Sequence, residues 1–287
     1  MASDDRLMPR ARRFIQCDVF TDQPTQGNAL AVVVDGVGLN ADEMQRFATW
    51  ANVAETTFLL PPETPGADYG LRIFTTTREI AFAGHPTLGS CMAWLAAGGT
   101  PLDPSMVRQE CGIGLVEIDL RSGRPAFVAP PTKIVQMAED MRRHIAEVLD
   151  LPPDCISRAV TLDNGSSWQL LELDSPARVL GANAQRLQQS PFRGIGLMAR
   201  HGSGAGLDFE VRMLAPSNGV SEDPVTGSLN AAIGCWLAEE GRLTLPAIVA
   251  QGTAIGRTGR VHLQHDQDGR LTVGGDVRIL IDGTVML

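Results

Sequence analysis

The sequence predicts an α+β fold built from two similar domains that are related by a pseudo-twofold axis. Each domain is expected to be a rolled, mostly antiparallel β-sheet around one central α-helix. Three observations carry this prediction. Short motifs recur at a spacing of nearly half the chain, each half contains one helix that is apolar nearly all round, and 287 residues suit two domains of ordinary size. We expect an N-terminal domain over 1–130 and a C-terminal domain over 131–287, with a last strand at about 277–287 that packs back onto the first domain.

The internal repeat is clearest in a string of six residues. Residues 85–90 (HPTLGS) recur 138 residues later as 223–228 (DPVTGS). Four further matches keep the same order along the chain, at offsets of 140 to 146 residues. They pair 45–47 with 185–187, 72–74 with 212–214, Gln109 with Gln251, and 123–124 with 269–270. Five matches in order indicate two copies of one fold.

The local patterns of the first half alternate between strands and two helices. A helix is predicted over 41–51 behind an Asn40 cap, and a strongly apolar, hence buried, helix over 87–97. Segments rich in β-branched and aromatic residues, bounded by Gly or Pro, predict strands at 14–20, 29–34, 55–60, 71–75, 107–120 and 126–129.

The second half shows the same succession of patterns. A helix is predicted over 182–189 and a buried helix over 225–240. Strands are predicted over 194–198, over 209–214 and from the buried helix to the end of the chain. An extra helix over 137–149 lies near the boundary, and the prolines at 130 and 131 mark a predicted hinge at 128–136.

Composition and charge exclude several classes of protein. The net charge is −9, and the only basic cluster is Arg10, Arg12 and Arg13, which we interpret as a solvated tail. We therefore expect no nucleic-acid partner. Lys133 is the only lysine, so Schiff-base chemistry has a single candidate, and the Gly-Lys-Ser/Thr string of a phosphate-binding loop does not occur.

The cysteines and the N-terminal segment predict the compartment. Five scattered cysteines contain no CxxC pair and no zinc spacing, so we expect reduced thiols and no metal. The N-terminal segment lacks the apolar core of a signal peptide, and the longest apolar run, 29–34, is far too short to span a membrane. We predict a cytoplasmic protein with no membrane partner.

The two strings of the repeat both lie at the start of a buried helix. The first N–H groups of a helix lack partners and the helix dipole is positive there, so such an end can bind an anion. Two such helices could point at one small ligand, with its carboxylate at Gly227 and Ser228. Alternatively, Asp223 before Pro224 is only an N-cap and His85 only a buried polar residue. Different titratable residues at matched positions favour a shared pocket.

Glu55 is the third candidate functional residue. It lies where a helix gives way to a strand, in an otherwise apolar to neutral stretch. Such a carboxylate is usually solvated or a cap. If it faces the pocket, desolvation would raise its pKa toward neutrality and suit it to proton transfer.

Four strings follow one another along the chain. They are 18–32 (DVFT, then GNALAV from 27), 55–57 (ETT), 82–86 (FAGHP) and 222–228 (EDPVTGS). Together they resemble the PhzF-like family, the phenazine-biosynthesis isomerase and its relatives, within the diaminopimelate epimerase-fold superfamily. The resemblance covers the chain from about residue 14 to its end. It implies a diaminopimelate epimerase-like fold, a cofactor-independent enzyme, a site in the cleft between the domains and, usually, a homodimer.

The resemblance also implies roles for individual residues. In the phenazine enzyme the glutamate that matches Glu55 carries protons between substrate carbons. The residues that match His85 and Asp223 contact polar groups of the substrate, and the pair that matches Gly227 and Ser228 holds its carboxylate.

Other residues of the matching strings are expected to bind substrate as well. These are Asn28, Gly84 and Thr226. One departure from the family pattern is Ala29, where the family often has proline after Gly-Asn.

The superfamily's epimerases use two opposed thiols, at positions that fall here at or beside Gly84-His85 and at Asp223. Neither position is cysteine, and Cys91 and Cys235 lie further along the central helices, where we expect buried packing thiols. A two-base epimerase or racemase is therefore disfavoured.

We predict a cofactor-independent isomerase that transfers a proton on a small carboxylate-bearing substrate between the domains. A non-catalytic carboxylate-binding protein of the same fold, and a hydrolase or lyase that uses the same glutamate, remain alternatives.

Overall fold

The computed structural model describes residues 9–184, 187, 194–214 and 221–287. Eighteen strands in these ranges form one hydrogen-bonded sheet. The helices are α1 (Ala41–Ala51), α2 (Gly84–Ala96), α3 (Glu139–Val148), α4 (Pro176–Gly181) and α5 (Gly227–Glu239). The first nine strands are β1 (Ala11–Val19), β2 (Asn28–Val33), β3 (Glu55–Leu60), β4 (Tyr69–Thr75), β5 (Glu79–Ile80), β6 (Met106–Cys111), β7 (Gly114–Asp119), β8 (Ala126–Val128) and β9 (Lys133–Gln136). The last nine are β10 (Ile156–Asp163), β11 (Ser167–Leu173), β12 (Ile195–Arg200), β13 (Phe209–Leu214), β14 (Glu222–Asp223), β15 (Ala247–Gln251), β16 (Gly259–His265), β17 (Leu271–Gly274) and β18 (Val277–Met286).

The two halves, β1–β9 and β10–β18, repeat the same pairing pattern. In the first half β1–β2 is antiparallel, β2–β3 parallel and β3–β4 antiparallel; β4 then pairs with β5 antiparallel and with β6 parallel, and β6–β7–β8 is antiparallel. In the second half β10 to β17 pair in the same directions and the same order. The predicted α+β fold of two related halves is therefore confirmed.

The two halves exchange their last strands. β18 follows β17 but pairs with β1, from Ala11 opposite Met286 to Val19 opposite Val277. In the same way β9 follows β8 but pairs with β10, and β8 and β17 pair with each other across the junction. Because strands cross between the halves, the domain boundary at 130/131 stays a prediction.

The two central helices occupy the core. Both are apolar on nearly every face and are largely buried against strands of the sheet, which removes that surface from water. The largest hydrophobic cluster includes Leu88 and Cys91 of α2 and Leu229 and Trp236 of α5. No helix in the described ranges is long and apolar enough to cross a membrane.

The string of six residues that revealed the repeat is out of register with the fold. α2 and α5 each contain thirteen residues and begin at Gly84 and Gly227. His85 therefore corresponds in space to Ser228. Asp223 is the last residue of β14 and lies four residues before the start of α5. It is therefore not the N-cap of α5, as one interpretation of the sequence predicted. The observed N-cap is Thr226, the residue before Gly227.

Side-chain bonds to the fourth residue of each helix agree with this register. Gln109 Nε2 donates to Thr87 Oγ1 at 3.2 Å in α2, and Asn230 Nδ2 of α5 donates to Gln251 Oε1 at 2.8 Å. The sequence match misled because the proline of the first string lies inside the first turn of α2, where its missing N–H costs nothing, whereas the proline of the second lies in the loop before α5.

Three other predicted segments differ from the structure or fall partly outside it. The strand predicted over 107–120 is the hairpin β6–β7, which turns at Gly112-Ile113. The helix between β11 and β12 is α4, and much of the predicted helix 182–189 lies outside the described residues. The predicted hinge segment 128–136 holds the end of β8 and all of β9.

Candidate functional site

The two central helices meet at their N-termini. A Cβ atom on Gly84 would lie 3.3 Å from the Cα of Gly227, and one on Gly227 would lie 3.4 Å from the Cα of Gly84. The rings of Phe127 and Phe20 approach these two Cβ positions to 2.8 and 3.2 Å. Because both residues lack a side chain, the first-turn N–H groups of both helices can gather around one point. Two positive helix ends this close favour an anionic ligand.

β3 places Glu55 beside these helix ends. α1 is followed by its C-cap Asn52, whose left-handed backbone (φ 52°, ψ 36°) turns the chain toward the first residue of β3. β3 is a central strand, parallel to β2, with Glu55 opposite Leu30 in β2. The glutamate is therefore held by the sheet at the strand end that faces α2.

Glu55 and His85 are in direct contact. Glu55 Oε2 lies 3.1 Å from His85 Nε2, and the two side chains are only 17% and 6% exposed. The relative orientation does not meet hydrogen-bond geometry, and neither atom has a hydrogen-bond partner within the described part of the chain. Buried polar atoms normally find partners, so this pair has unused capacity for a ligand.

Burial sets the charge of both groups. Burial, helped by the negative charge of Asp223, raises the pKa of Glu55 to about 8. Burial lowers the pKa of His85 to about 3, and the backbone of Ala29 opposes this only in part. At pH 7 Glu55 is therefore mainly protonated and His85 neutral. A carboxyl group with a pKa near neutrality can both give and take a proton.

Asp223 is the last residue of β14, the strand that precedes α5. Its Oδ1 accepts a hydrogen bond from Asn28 Nδ2 at 2.9 Å, and its Oδ2 accepts one from Thr226 Oγ1 at 2.5 Å. Burial raises the pKa of Asp223 to about 6, while these two donors act in the opposite direction and Glu222 adds to the rise. Its environment is thus more favourable to a carboxylate than that of Glu55.

A tight loop between β1 and β2 places the side chain of Asn28, a residue of the first half, against Asp223 of the second half. The Asp18 carboxylate accepts hydrogen bonds from the backbone N–H groups of Gln26 and Gly27, both within 3.1 Å. A Cβ on Gly27 would lie 2.2 Å from the carbonyl oxygen of Val19, so only glycine fits there. Asn28 follows as the first residue of β2 and is fully buried.

The structure brings all the predicted site residues to one junction, in three groups. The first group is the contact between Glu55 and His85, and the second is the meeting of the glycines that begin α2 and α5. The third is Asp223 with the side chains of Asn28 and Thr226, both of which are engaged with protein partners. Ser228, the second residue of α5, is half-buried.

The thiols of the two central helices lie away from this junction. Cys91 is the eighth residue of α2 and Cys235 the ninth of α5, so both are a helical turn or more from the helix ends. Burial raises the pKa of Cys91 to about 12, so it is a neutral thiol at pH 7. Among the described residues no cluster of three or more His, Cys, Asp or Glu side chains could hold a metal ion.

Two cavities of the surface lie elsewhere. One of about 540 Å³ is lined by α3 and the segment from Asp150 to Pro153, and one of about 280 Å³ lies beside Tyr69 and Trp94. Neither is lined by Glu55 or another residue of the junction. The unsatisfied polar atoms and the meeting of the helix ends, rather than these two cavities, define the candidate site.

Sequence reasoning missed two kinds of residue at the site. Phe20 and Phe127 pack against the helix ends. Phe20 belongs to the DVFT string but was given no role there, and no motif marks Phe127. Gln251 is fully buried and bonds to Thr226 and to the backbone of Asp223. The match of Gln251 with Gln109 was visible in the repeat. The sequence alone did not indicate that Gln251 lies beside Asp223.

These features define the class: a duplicated α+β protein in which both halves bring titratable residues to the meeting point of two buried helix ends. The family model described as phenazine biosynthesis-like protein matches residues 17–283. The chain belongs to this family, as the sequence motifs predict.

Individual comparisons agree with this assignment. The chain is 32% identical over 290 residues to antisense-enhancing sequence 1 of Schizosaccharomyces pombe, covering 94% of this chain and 97% of that one. It is 29% identical over 285 residues to trans-2,3-dihydro-3-hydroxyanthranilate isomerase of Pseudomonas chlororaphis, covering 96% and 99%. The crystal structure of a PhzF-family phenazine biosynthesis protein from Bacillus anthracis matches with a TM-score of 0.82 at 22% identity, covering 97% and 100%. The last comparison supports the fold, and the name of the second relative supports an isomerase.

Proposed function

We propose that the protein is a proton-transfer isomerase in which Glu55 moves a proton between two carbon atoms of a small carboxylate-bearing substrate. The observation that carries the proposal is the contact of 3.1 Å between Glu55 Oε2 and His85 Nε2, two buried atoms that have no hydrogen-bond partner among the described residues. A pKa of about 8 makes both forms of Glu55 accessible near neutral pH. Glu55 removes a proton from one carbon, delivers one to another and returns to its starting state.

The substrate carboxylate is proposed to bind at the N-termini of α2 and α5. The backbone N–H groups of Gly84, Gly227 and Ser228 belong to the first turns of these helices and favour an anion. Neutral His85 and ionised Asp223 would then hold polar groups of the substrate and stabilise charge that develops during transfer. Proton transfer between carbons leaves the oxidation level of the substrate unchanged, so the proposed reaction needs no redox cofactor.

The name of the Pseudomonas chlororaphis relative suggests which compound to test first. That relative is an isomerase of trans-2,3-dihydro-3-hydroxyanthranilate, a cyclic carboxylate with an amino and a hydroxyl group. We propose a substrate of this class, with a carboxylate and an amino or hydroxyl group. We further propose a homodimer, as the family resemblance implies, and a cytoplasmic location, as the cysteine pattern and the N-terminal segment predict.

The test is solvent-deuterium exchange followed by NMR. The protein in D₂O is mixed with the dihydro-hydroxyanthranilate and with a panel of cyclic and aromatic amino acids and hydroxy acids. The proposal expects deuterium at a carbon of at least one compound, and at least ~10²-fold slower incorporation in Glu55→Gln, the scale of general acid–base catalysis.

The alternatives give different outcomes in the same experiment. A compound that binds without any carbon-bound exchange indicates a carboxylate-binding protein. Cleaved or eliminated products indicate a hydrolase or lyase. An unchanged exchange rate in Glu55→Gln removes Glu55 from the mechanism.

A further inference from the structure

Gln251 uses every hydrogen-bonding position of its amide next to Asp223. It is fully buried at the end of β15. Its Oε1 accepts hydrogen bonds from the backbone N–H of Thr226 at 3.1 Å and from Asn230 Nδ2 at 2.8 Å. Its Nε2 donates to Thr226 Oγ1 at 3.0 Å and to the backbone carbonyl of Asp223 at 3.2 Å. Two donors and two acceptor positions exhaust the capacity of an amide.

The neighbours fix the orientation of this amide. A backbone N–H can only donate, so the Gln251 atom beside the Thr226 nitrogen must be the oxygen. The NH₂ group of Gln251 therefore faces the Thr226 hydroxyl and occupies one of its acceptor positions. That hydroxyl has a single proton, and its other neighbour is Asp223 Oδ2 at 2.5 Å, so the proton points to Asp223.

The second oxygen of Asp223 also receives a donor. Asn28 Nδ2 donates to Asp223 Oδ1 at 2.9 Å. A protonated carboxyl group would need an acceptor for its own proton, whereas among the described residues both oxygens are engaged by donors. The surrounding hydrogen bonds therefore suit a carboxylate.

We propose that Gln251 is a positioning residue of the site: by fixing the direction of the Thr226 hydroxyl it keeps Asp223 a hydrogen-bond acceptor, ready for an N–H or O–H group of the substrate. The part that concerns substrate rests on the proposed isomerase function. The chain of hydrogen bonds from Gln251 to Asp223 does not, and it can be measured without turnover.

The charged groups around Asp223 work against this arrangement. Burial and Glu222, its neighbour on β14, raise the pKa of Asp223. Glu55 on β3 is close enough that the charge of Asp223 raises its pKa, and the adjacent His85 on α2 is neutral at pH 7. The hydrogen bonds that Thr226 and Asn28 donate lower the pKa of Asp223 and so oppose the effects of burial and of Glu222. Loss of one donor should therefore be visible in the titration of Asp223.

The experiment is a ¹³C NMR titration of the Asp223 carboxyl carbon in protein labelled at aspartate side-chain carboxyls. The resonance is assigned by its absence in Asp223→Asn. Gln251→Met and Thr226→Val should each raise the pKa of Asp223 by about one unit, the effect of a hydrogen bond to an ionised group. Because both changes act on one hydroxyl, the double variant should show no further rise. Thr226→Ser keeps the hydroxyl and should keep the wild-type titration.

Gln109→Met is the matched control for Gln251→Met. Gln109 is a fully buried glutamine in the first half that bonds to Thr87 and Tyr69, and in the described part of the chain it has no hydrogen bond to Asp223 or Thr226. The Gln109→Met substitution should lower stability in urea denaturation and leave the Asp223 titration unchanged. If Gln251→Met does not fold, the comparison of Thr226→Val with Thr226→Ser decides the same question.

An Asp223 titration that is unchanged in Gln251→Met, or shifts that add in the double variant, would overturn the proposal. So would equal titrations in Thr226→Val and Thr226→Ser. The result is separable from the proposed function. A wild-type protein that exchanges no deuterium into any substrate but shows these shifts has lost the isomerase assignment and kept the hydrogen-bond chain.

Discussion

Asn28 of the first half and Asp223 of the second are joined by a hydrogen bond of 2.9 Å, from Nδ2 to Oδ1. The second proton of the same amide goes to the carbonyl oxygen of Val225, also at 2.9 Å. One buried side chain thus links the halves at the candidate site, and the position of the Asp223 carboxylate depends on a residue 195 positions earlier.

The first prediction concerns this link. Asn28→Ala leaves a buried carboxylate oxygen and a buried carbonyl without their donor, which should lower the free energy of unfolding by about 1–3 kcal/mol. It should also raise the pKa of Asp223, since the Asn28 donor lowers it. Urea denaturation and the carboxyl titration measure the two effects. Asn40→Ala is the control: it removes the N-cap of α1 and should cost about 1 kcal/mol without moving the Asp223 titration.

The second prediction concerns Glu55 and alkaline pH. Its pKa in the folded protein is about 8, above the ordinary value of 4.5. Its contribution to stability is therefore fully present below pH 4.5 and is lost as pH rises through 8. The amide side chain in Glu55→Gln does not titrate. Between pH 5 and 9 the free energy of unfolding should therefore fall less in this variant than in the wild type, by an amount on the order of a few kcal/mol. Urea denaturation across this range tests it, and parallel pH profiles of the two proteins would refute the raised pKa.

The third prediction concerns His85 and acid. Its folded pKa of about 3 lies below the ordinary value of 6.5, so its contribution to stability is present above pH 6.5 and is lost as pH falls through 3. His85→Gln should therefore flatten the loss of stability between pH 6.5 and 4 in thermal or urea denaturation. His265→Gln replaces an exposed side chain at the end of β16 and should leave the acid profile as it is. A profile equally steep in wild type and His85→Gln would contradict a neutral, buried imidazole.

The fourth prediction concerns the meeting of the helix ends. In Gly84→Ala the new Cβ would lie 2.8 Å from the ring of Phe127, which must shift, so we expect a loss of about 1–3 kcal/mol in the free energy of unfolding. Gly181→Ala is the matched control, because a Cβ there meets no atom of the described residues within 4 Å. Alanine at that position of α4 should instead stabilise the protein by about 0.5–1 kcal/mol. Equal effects of the two substitutions would mean that the helix ends are not closely packed.

The fifth prediction compares two ion pairs that the repeat makes equivalent. Arg212 on β13 bonds Glu222 on β14 at 2.7 Å with both side chains almost fully buried, whereas Arg72 on β4 bonds Glu79 on β5 at 2.7 Å with both partly exposed. Glu222→Gln leaves a buried guanidinium without its charge partner and should cost about 3 kcal/mol. Glu79→Gln should cost about 0–1 kcal/mol. Urea denaturation of the two variants measures the difference, and equal losses would show that burial does not decide the strength of these pairs.

The sequence was sufficient for the elements whose signals are local. α1 occupies the predicted range behind its Asn40 cap, because capping and a 3.6-residue period act within a few residues. The two buried helices, the duplicated order of strands and the family also followed from the sequence. Local signals failed at the ends of the buried helices. A proline in the first turn of α2 and one before α5 look alike in sequence, so the string match joined His85 to Asp223, whereas the fold joins His85 to Ser228.

By itself, the sequence determined the family, the two related halves and the residue types that meet at the junction, since these depend on composition, periodicity and motif order. Tertiary structure alone decided the 3.1 Å contact of Glu55 with His85 and the hydrogen bonds from Gln251 through Thr226 to Asp223. The physical reason is that charge and proton position depend on burial and on distances between atoms far apart in the chain. Those distances are fixed only when the two halves pack against each other.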